Sequence, residues 1–191
     1  MTTAMSFADV MRVTGARAVS GPRDASPALT GVSTDTRSLR AGELYLALSG
    51  PAFDGNAFAR TAADAGASAL LLRDDPALDL SDLPAGLPVA TCRDPLRALA
   101  DVAGWHRRRL ALPVVAITGS VGKTSTKNIL LELLRDVRVA VGSPASFNNE
   151  VGVPLTLLLA DERTDVLIAE IGTNAPGEIA ALCRIAQPSA G

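Results

Sequence analysis

The apolar residues of this chain fall in short runs whose spacing alternates between strand-like and helix-like. In the second half, Val114, Val115, Ala116 and Ile117 follow one another without polar alternation, which predicts a strand buried on both faces, as in a parallel sheet. Ile129, Leu130, Leu133, Leu134 and Val137 then recur at helical spacing and predict a helix with one apolar stripe. Val166, Leu167, Ile168 and Ala169 predict a second continuous strand. Strand, helix, strand in this order predicts βαβ units and a doubly wound, largely parallel sheet.

The first half is less regular and reads as a small mixed α/β domain. Residues 31–37 form the first segment with clear order, and 43–48 read as a short strand ended by Gly50 and Pro51. Residues 56–65 are predicted helical, with Asn56 as N-cap and Gly66 placed for a C-terminal stop. Strands follow at 69–72 and 89–91, separated by a loop rich in Asp, Pro and Leu that runs to Gly86. Asp94 and Pro95 open a helix well, because Asp caps and the missing N–H of Pro costs nothing in the first turn. Leu96, Leu99, Ala103, His106 and Leu110 share one face of it. The punctuation at Leu112 and Pro113 divides the chain into domains 1–110 and 111–191. There is no internal repeat and no low-complexity segment.

Of the 191 residues, 48% are hydrophobic and 20% charged, enough apolar mass for a core, so a disordered chain is excluded. A net charge of −2 supplies no positive field for a nucleic-acid backbone or an anionic membrane. Cys92 and Cys183 lie far apart without partner spacing, which supports neither a disulfide framework nor zinc. The start has no secretory pattern, and no apolar run has the length of a membrane helix, so a cytoplasmic protein without membrane insertion is expected. Arg107, Arg108 and Arg109 read as a solvated helix end that suits the macrodipole. His106, the single histidine, reads as structural.

Chemistry concentrates between the first buried strand and the helix after it, at 118–126 (Thr-Gly-Ser-Val-Gly-Lys-Thr-Ser-Thr). Gly119 and Gly122 let the backbone approach a phosphate chain, and the helix N-terminus adds N–H donors. The nucleotide would therefore lie on Gly119, Ser120, Val121, Gly122, Lys123, Thr124 and Ser125. Lys123 would reach the outer phosphates, and Thr124 would join a magnesium shell. The spacing departs from the usual phosphate loop, since two residues rather than four separate Gly119 from Gly122. Glu170 ends the second buried strand, where open α/β sheets bind ligands, and is placed to hold magnesium. Glu178 opens the next helix and is expected to favour its positive end. Asn148 and Asn149, in a polar cluster at 147–154, combine donors and acceptors for an oligofunctional ligand.

Taken together, these motifs resemble the Mur ligases of peptidoglycan synthesis. The likeness rests on 116–124, 147–156 and 170–179, and in the first half on Ser33-Thr-Asp-Thr-Arg37 and Phe53-Asp-Gly-Asn56. It covers about residues 31–188 and is strongest to the branch that adds a dipeptide. Ser120 and Val121 in the loop, with Ile171, Gly172 and Thr173 after the glutamate, differ from the branch that adds the third residue. The resemblance implies ATP and Mg2+ as cofactors, with UDP-N-acetylmuramoyl-tripeptide and D-alanyl-D-alanine as substrates. ATP would convert the tripeptide carboxyl to an acyl phosphate, which the dipeptide amine then attacks. Lys123 and Glu170 would be catalytic, and Thr124 and Glu170 would hold the metal. Ser33, Thr34, Asp35, Thr36, Arg37, Asp54, Asn56, Asn148 and Asn149 would contact substrate. The full-length enzyme would be a monomer.

Family members are more than twice this length, with a C-terminal domain that has no counterpart in these residues. The central P-loop domain is therefore expected to be incomplete and the 191 residues to be inactive alone. A non-catalytic module that binds a nucleotide or UDP-sugar is the alternative. A small P-loop kinase is disfavoured, because no catalytic acid or arginine sits in a recognisable motif.

Overall fold

Short apolar runs become the centre of a mixed five-stranded sheet in the first half of the chain. The computed structural model describes residues 5–22, 26–50 and 52–191, in two units, Ala4–Val102 and Ala103–Gly191. The first unit contains β1 (Met5–Ser6), α1 (Phe7–Thr14), β2 (Arg17–Ser20), β3 (Ala28–Leu29), β4 (Val32–Ser33) and β5 (Leu44–Leu46). It continues with β6 (Ser49–Gly50), β7 (Phe53–Asp54), α2 (Ala59–Asp64), β8 (Ala69–Arg73), β9 (Val89–Cys92) and the start of α3 (Pro95–Arg109). The sheet order is β2-β9-β8-β5-β4, with only β2 antiparallel. Leu44, Leu46, Leu70, Leu71 and Leu72 are fully buried along its middle.

The hydrophobic pattern assigns nothing before residue 31, yet α1 is well capped. The Ser6 hydroxyl accepts from the Asp9 amide, and the Asp9 carboxylate accepts from the Ser6 amide. This reciprocal box uses Asp where Glu or Gln is usual. The helix expected at 56–65 forms differently. Gly55–Phe58 is a 3-10 turn capped by the Asp54 carboxylate, which accepts from the Asn56 amide, and α2 starts only at Ala59. Asn56 is therefore not the cap. Its side-chain amide clips the end of β8, donating to the Arg73 carbonyl (3.0 Å) and accepting from the Arg73 amide (2.9 Å). Gly66, at φ +93°, stops the helix as expected. The expected strand end at Gly50 and Pro51 falls partly on Pro51, which lies outside the described residues.

The second unit is a parallel sheet of β10 (Val114–Ile117), β12 (Val166–Glu170) and β11 (Ala140–Gly142), in that order, with α4 (Lys123–Leu134), α5 (Gly152–Leu157) and α6 (Glu178–Ala186). Its core joins Val114, Val153, Leu157, Leu167, Ile171 and Ala186 to Ala103 of α3 and to Leu110 just after that helix. The units consequently divide inside α3, ahead of the punctuation at Leu112. Val115 and Ile117 are only half-buried, so β10 is not covered on both faces as expected, whereas the central β12 is buried from Leu167 onward. Ala190 bridges in parallel to Val115 on the other side of β10.

Three sequence expectations change here. The expected stripe faces the core only in part: Ile129, Leu133 and Val137 are 60%, 70% and 64% exposed, while Leu130 and Leu134 are half-buried. The rest of the inward face is carried by Thr124, Lys127 and Leu131, an i, i+3, i+7 set whose one fully buried member is a lysine. Leu96 of α3 is exposed, and the buried face runs through Leu99, Val102, Ala103 and His106. Arg107 is not a solvated end. Its guanidinium donates to the carbonyls of Ala186, Leu110 and Gln187, tying off the C-terminus of α6. Arg109 lies over the Trp105 ring at 4.7 Å.

His106 is buried, with Nε2 2.8 Å from the Ala160 carbonyl and Nδ1 unpartnered. The proton therefore sits on Nε2, and a second proton would bury an unpaired donor. Burial depresses its pKa, while an unfolded histidine protonates near 6.5. The unfolded state binds more protons across that window, so stability is full above about pH 6.5 and falls below it. Melting temperature followed from about pH 7.5 to about pH 5 should drop, and His106→Gln should flatten that drop. Parallel profiles for the two proteins would refute the assignment.

Candidate phosphate loop and cation site

The register of β10 and β12 sets the site. Ile117 pairs with Glu170 in the parallel ladder, so the chain leaves β10 beside that carboxylate, at the carboxyl ends of the strands. Gly119 (φ +139°) and Gly122 (φ +85°) turn the loop in backbone conformations that L side chains rarely adopt. Gly122 starts α4 without any side-chain cap, which leaves the first-turn amides free to donate to a ligand. Ser120, Val121 and Ser125 are exposed along this path, Val121 at 92%. The Lys123 ammonium folds over the loop and donates to the Gly119 carbonyl at 2.7 Å.

Glu170 is 1% exposed. One carboxylate oxygen accepts from the Thr124 hydroxyl and the other from the Asn148 side-chain amide, each at 2.9 Å. Its own backbone N–H donates to the Ser143 hydroxyl at 3.2 Å. Among the described residues no cation stands within ion-pair distance of it. A buried carboxylate served only by neutral donors is expensive to keep charged, and a divalent cation is the partner that would offset the cost. No group of three or more His, Cys, Asp or Glu is gathered among the described residues. The donor set fits magnesium, which keeps water and phosphate oxygens in its shell and needs few protein ligands.

Beside this pair lies a cleft lined by Lys123, Asn148, Asn149, Glu150, Gly172, Thr173, Asn174 and Glu178. Asn148 is anchored there by its carbonyl, which accepts from the Gly172 amide at 2.7 Å. A side chain on Gly172 would meet Asn148 Cγ at 2.9 Å, so only glycine leaves that amide room. Asn149 turns elsewhere: its side-chain oxygen accepts from the Gly152 and Val151 amides at the start of α5, a capping role. Glu178 opens α6 and stands in its first turn, as expected. It accepts from the amides of Asn174 and Ala175 and the hydroxyl of Thr173, and those amides hold its carboxyl below the usual range.

The sequence-predicted substrate residues of the first unit form two self-satisfied turns. Ser33 is buried, and its hydroxyl donates to the Asp35 carbonyl and accepts from the Asp35 amide. The Arg37 guanidinium grips the Asp35 carboxylate and pulls its pKa to about 2. Thr34 and Thr36 are half-buried in the same turn. Asp54 accepts from Ser49 and Arg73, near the buried Tyr45, whose hydroxyl donates to the Gly55 carbonyl and is pushed up to about 12 by burial. Sequence reasoning missed Lys127 and Ser143. A lysine inside a helix ordinarily reads as solvated, and the one usable signal was its spacing, three residues after Thr124.

No helix among the described residues is long and apolar enough to cross a membrane. Comparison with known proteins matches the Mur ligase family, catalytic domain, over residues 28–106 and the Mur ligase middle domain over residues 117–191. A UDP-N-acetylmuramoyl-tripeptide--D-alanyl-D-alanine ligase from Synechocystis sp. is 39% identical, over 85% of this chain and 35% of its own length. The ligase of that name from Bacillus subtilis is 34% identical, over 90% and 37%. The chain thus spans about a third of the length of the curated relatives it matches. Among solved structures, MurF from Acinetobacter baumannii aligns with a TM-score of 0.81 at 26% identity, over 97% of this chain and 40% of its own. MurF ligase from Thermotoga maritima, solved in complex with ADP, aligns at 0.68 and 32% identity, over 83% and 35%. Both halves of the chain match Mur ligase domains that adjoin in sequence, and the chain belongs to the Mur ligase family.

Proposed function

We propose that this chain is the substrate- and nucleotide-binding part of a cytoplasmic ligase that adds D-alanyl-D-alanine to UDP-N-acetylmuramoyl-tripeptide in peptidoglycan precursor synthesis. Residues 1–110 would take the UDP-muramoyl substrate and 111–191 the ATP. The reading is carried by one juxtaposition: Thr124 and Asn148 converge on buried Glu170 at the mouth of the glycine loop. Magnesium ATP supplies the phosphoryl group that turns a carboxylate, which resists attack by an amine, into an acyl phosphate.

The chain's own residues do the positioning and charge neutralisation on which phosphoryl transfer depends. The amides of 119–125 cradle phosphate oxygens, and the Lys123 ammonium exchanges the Gly119 carbonyl for the outer phosphates. Thr124 and Glu170 present a hydroxyl and a carboxylate to the metal. Asn148 fixes the second carboxylate oxygen and, with the cleft it lines, orients the substrate carboxyl. The turns containing Ser33 to Arg37, with Asp54 and Asn56, receive the uridine nucleotide. Because the relatives are about three times as long, we also propose that these residues alone bind without ligating.

Calorimetric titration of the chain with ADP and magnesium tests the site directly. Lys123→Ala should weaken binding about tenfold or more, the consequence of losing a charge-assisted hydrogen bond of about 1.5–3 kcal/mol. Unchanged affinity would discard the nucleotide reading. Glu170→Gln keeps the shape but removes the charge, so ADP affinity should become nearly independent of magnesium; a retained magnesium dependence would exclude Glu170 as a ligand. Incubation with UDP-muramoyl-tripeptide, D-alanyl-D-alanine and magnesium ATP should give no amide by mass spectrometry, and robust product would contradict the proposed need for the rest of the relatives' length.

A further inference from the structure

Lys127 is the one lysine of the chain that is buried, at 2% exposure, although lysine almost never goes inside without a partner. Among the described residues its ammonium meets no carboxylate. It donates to two backbone carbonyls, Ser143 at 2.7 Å and Ala145 at 2.8 Å. Ala145 holds φ +49°, a conformation that costs a residue with a Cβ and persists only when its surroundings impose it. The ammonium bonds the carbonyl of that residue and the carbonyl two residues before it.

The turn it holds is wired to the cation site at two points. The Ser143 hydroxyl accepts from the Glu170 amide, and Asn148, three residues beyond Ala145, donates its side-chain amide to the Glu170 carboxylate. Lys127 in turn lies one helical turn after Thr124, which donates to the other carboxylate oxygen. A ring closes through Thr124, Glu170, Asn148, the 143–147 turn and Lys127. We infer that Lys127 is a positioning residue: it clamps the 143–145 turn so that Asn148 and Thr124 hold the Glu170 carboxylate in one orientation for a magnesium–nucleotide complex. This rests on the nucleotide reading for the ligand, but not for the geometry.

Two measurements on the 191-residue chain separate those levels. In the ligand-free protein, the side-chain amide resonances of Asn148, assigned with Asn148→Asp, should lie away from the positions of solvated amides. Lys127→Met, which keeps the length of the side chain and removes the ammonium, should move them toward those positions while the melt stays cooperative. In calorimetry, Lys127→Met should cut the magnesium-dependent gain in ADP affinity by about tenfold or more, as loss of an outer partner does at metal sites, with metal-free ADP affinity changed by less than about twofold. Lys127→Arg, which keeps the charge and the donors, should recover most of that gain. If Lys127→Met does not fold, Lys127→Gln, which keeps one donor group, serves for both readouts. Asn148 resonances and a magnesium gain that are unmoved in the folded variant would overturn the inference. If ADP fails to bind the wild type while the Asn148 resonances still respond to Lys127, the clamp stands and the nucleotide reading falls instead.

Discussion

A single buried carboxylate sets the terms for the second unit. Glu170 sits at the end of the central strand of a three-stranded parallel sheet, and its two oxygens are met by one hydroxyl and one amide from opposite sides. Neither donor carries charge, so the group remains electrostatically incomplete inside the protein. The fold tolerates this because the backbone around it is held tightly. The Ile171 amide donates to the Ile117 carbonyl, the Gly172 amide to the Asn148 carbonyl, and the Glu170 amide to the Ser143 hydroxyl. This buried carboxylate beside a loop of open amides is the arrangement on which the proposed binding of a cation and phosphate rests.

The first unit follows a different economy. Its candidate substrate residues satisfy one another: Arg37 with Asp35, Asp54 with Ser49 and Arg73, and Asn56 with the backbone of β8. The phosphate loop has the opposite character. Among the described residues the Lys123 ammonium is bonded to a loop carbonyl alone, and Val121 stands in solvent, so the loop keeps donors unspent.

The helix after the loop shows where hydrophobic periodicity misleads. Ile129, Leu130, Leu133, Leu134 and Val137 give a clean apolar stripe, but the helix is oriented by its first turns, where Thr124 reaches Glu170 and Lys127 reaches the 143–145 turn. Those polar contacts accompany an outward Ile129, Leu133 and Val137, while Leu131 packs against Gly142. The 56–65 helix misleads for a local reason: Asp54 takes the capping position and accepts from the Asn56 amide, and the Asn56 side chain clips β8.

The residues by themselves determined what depends on local order. The strand that ends at Ile117, the glycine-bounded turn, the helix opened by Asp94 and Pro95, and the carboxylate closing the second strand were all legible, because each is set by neighbours within a few positions. Only the tertiary structure decided which of these meet. The pairing of Ile117 with Glu170 is a matter of sheet register, and the burial of Lys127 depends on carbonyls 16 and 18 residues away. The use of Asn149 as a cap while its neighbour Asn148 faces the carboxylate depends on where α5 begins. Contacts of that kind are chosen by how elements pack, and a one-dimensional pattern carries no record of packing.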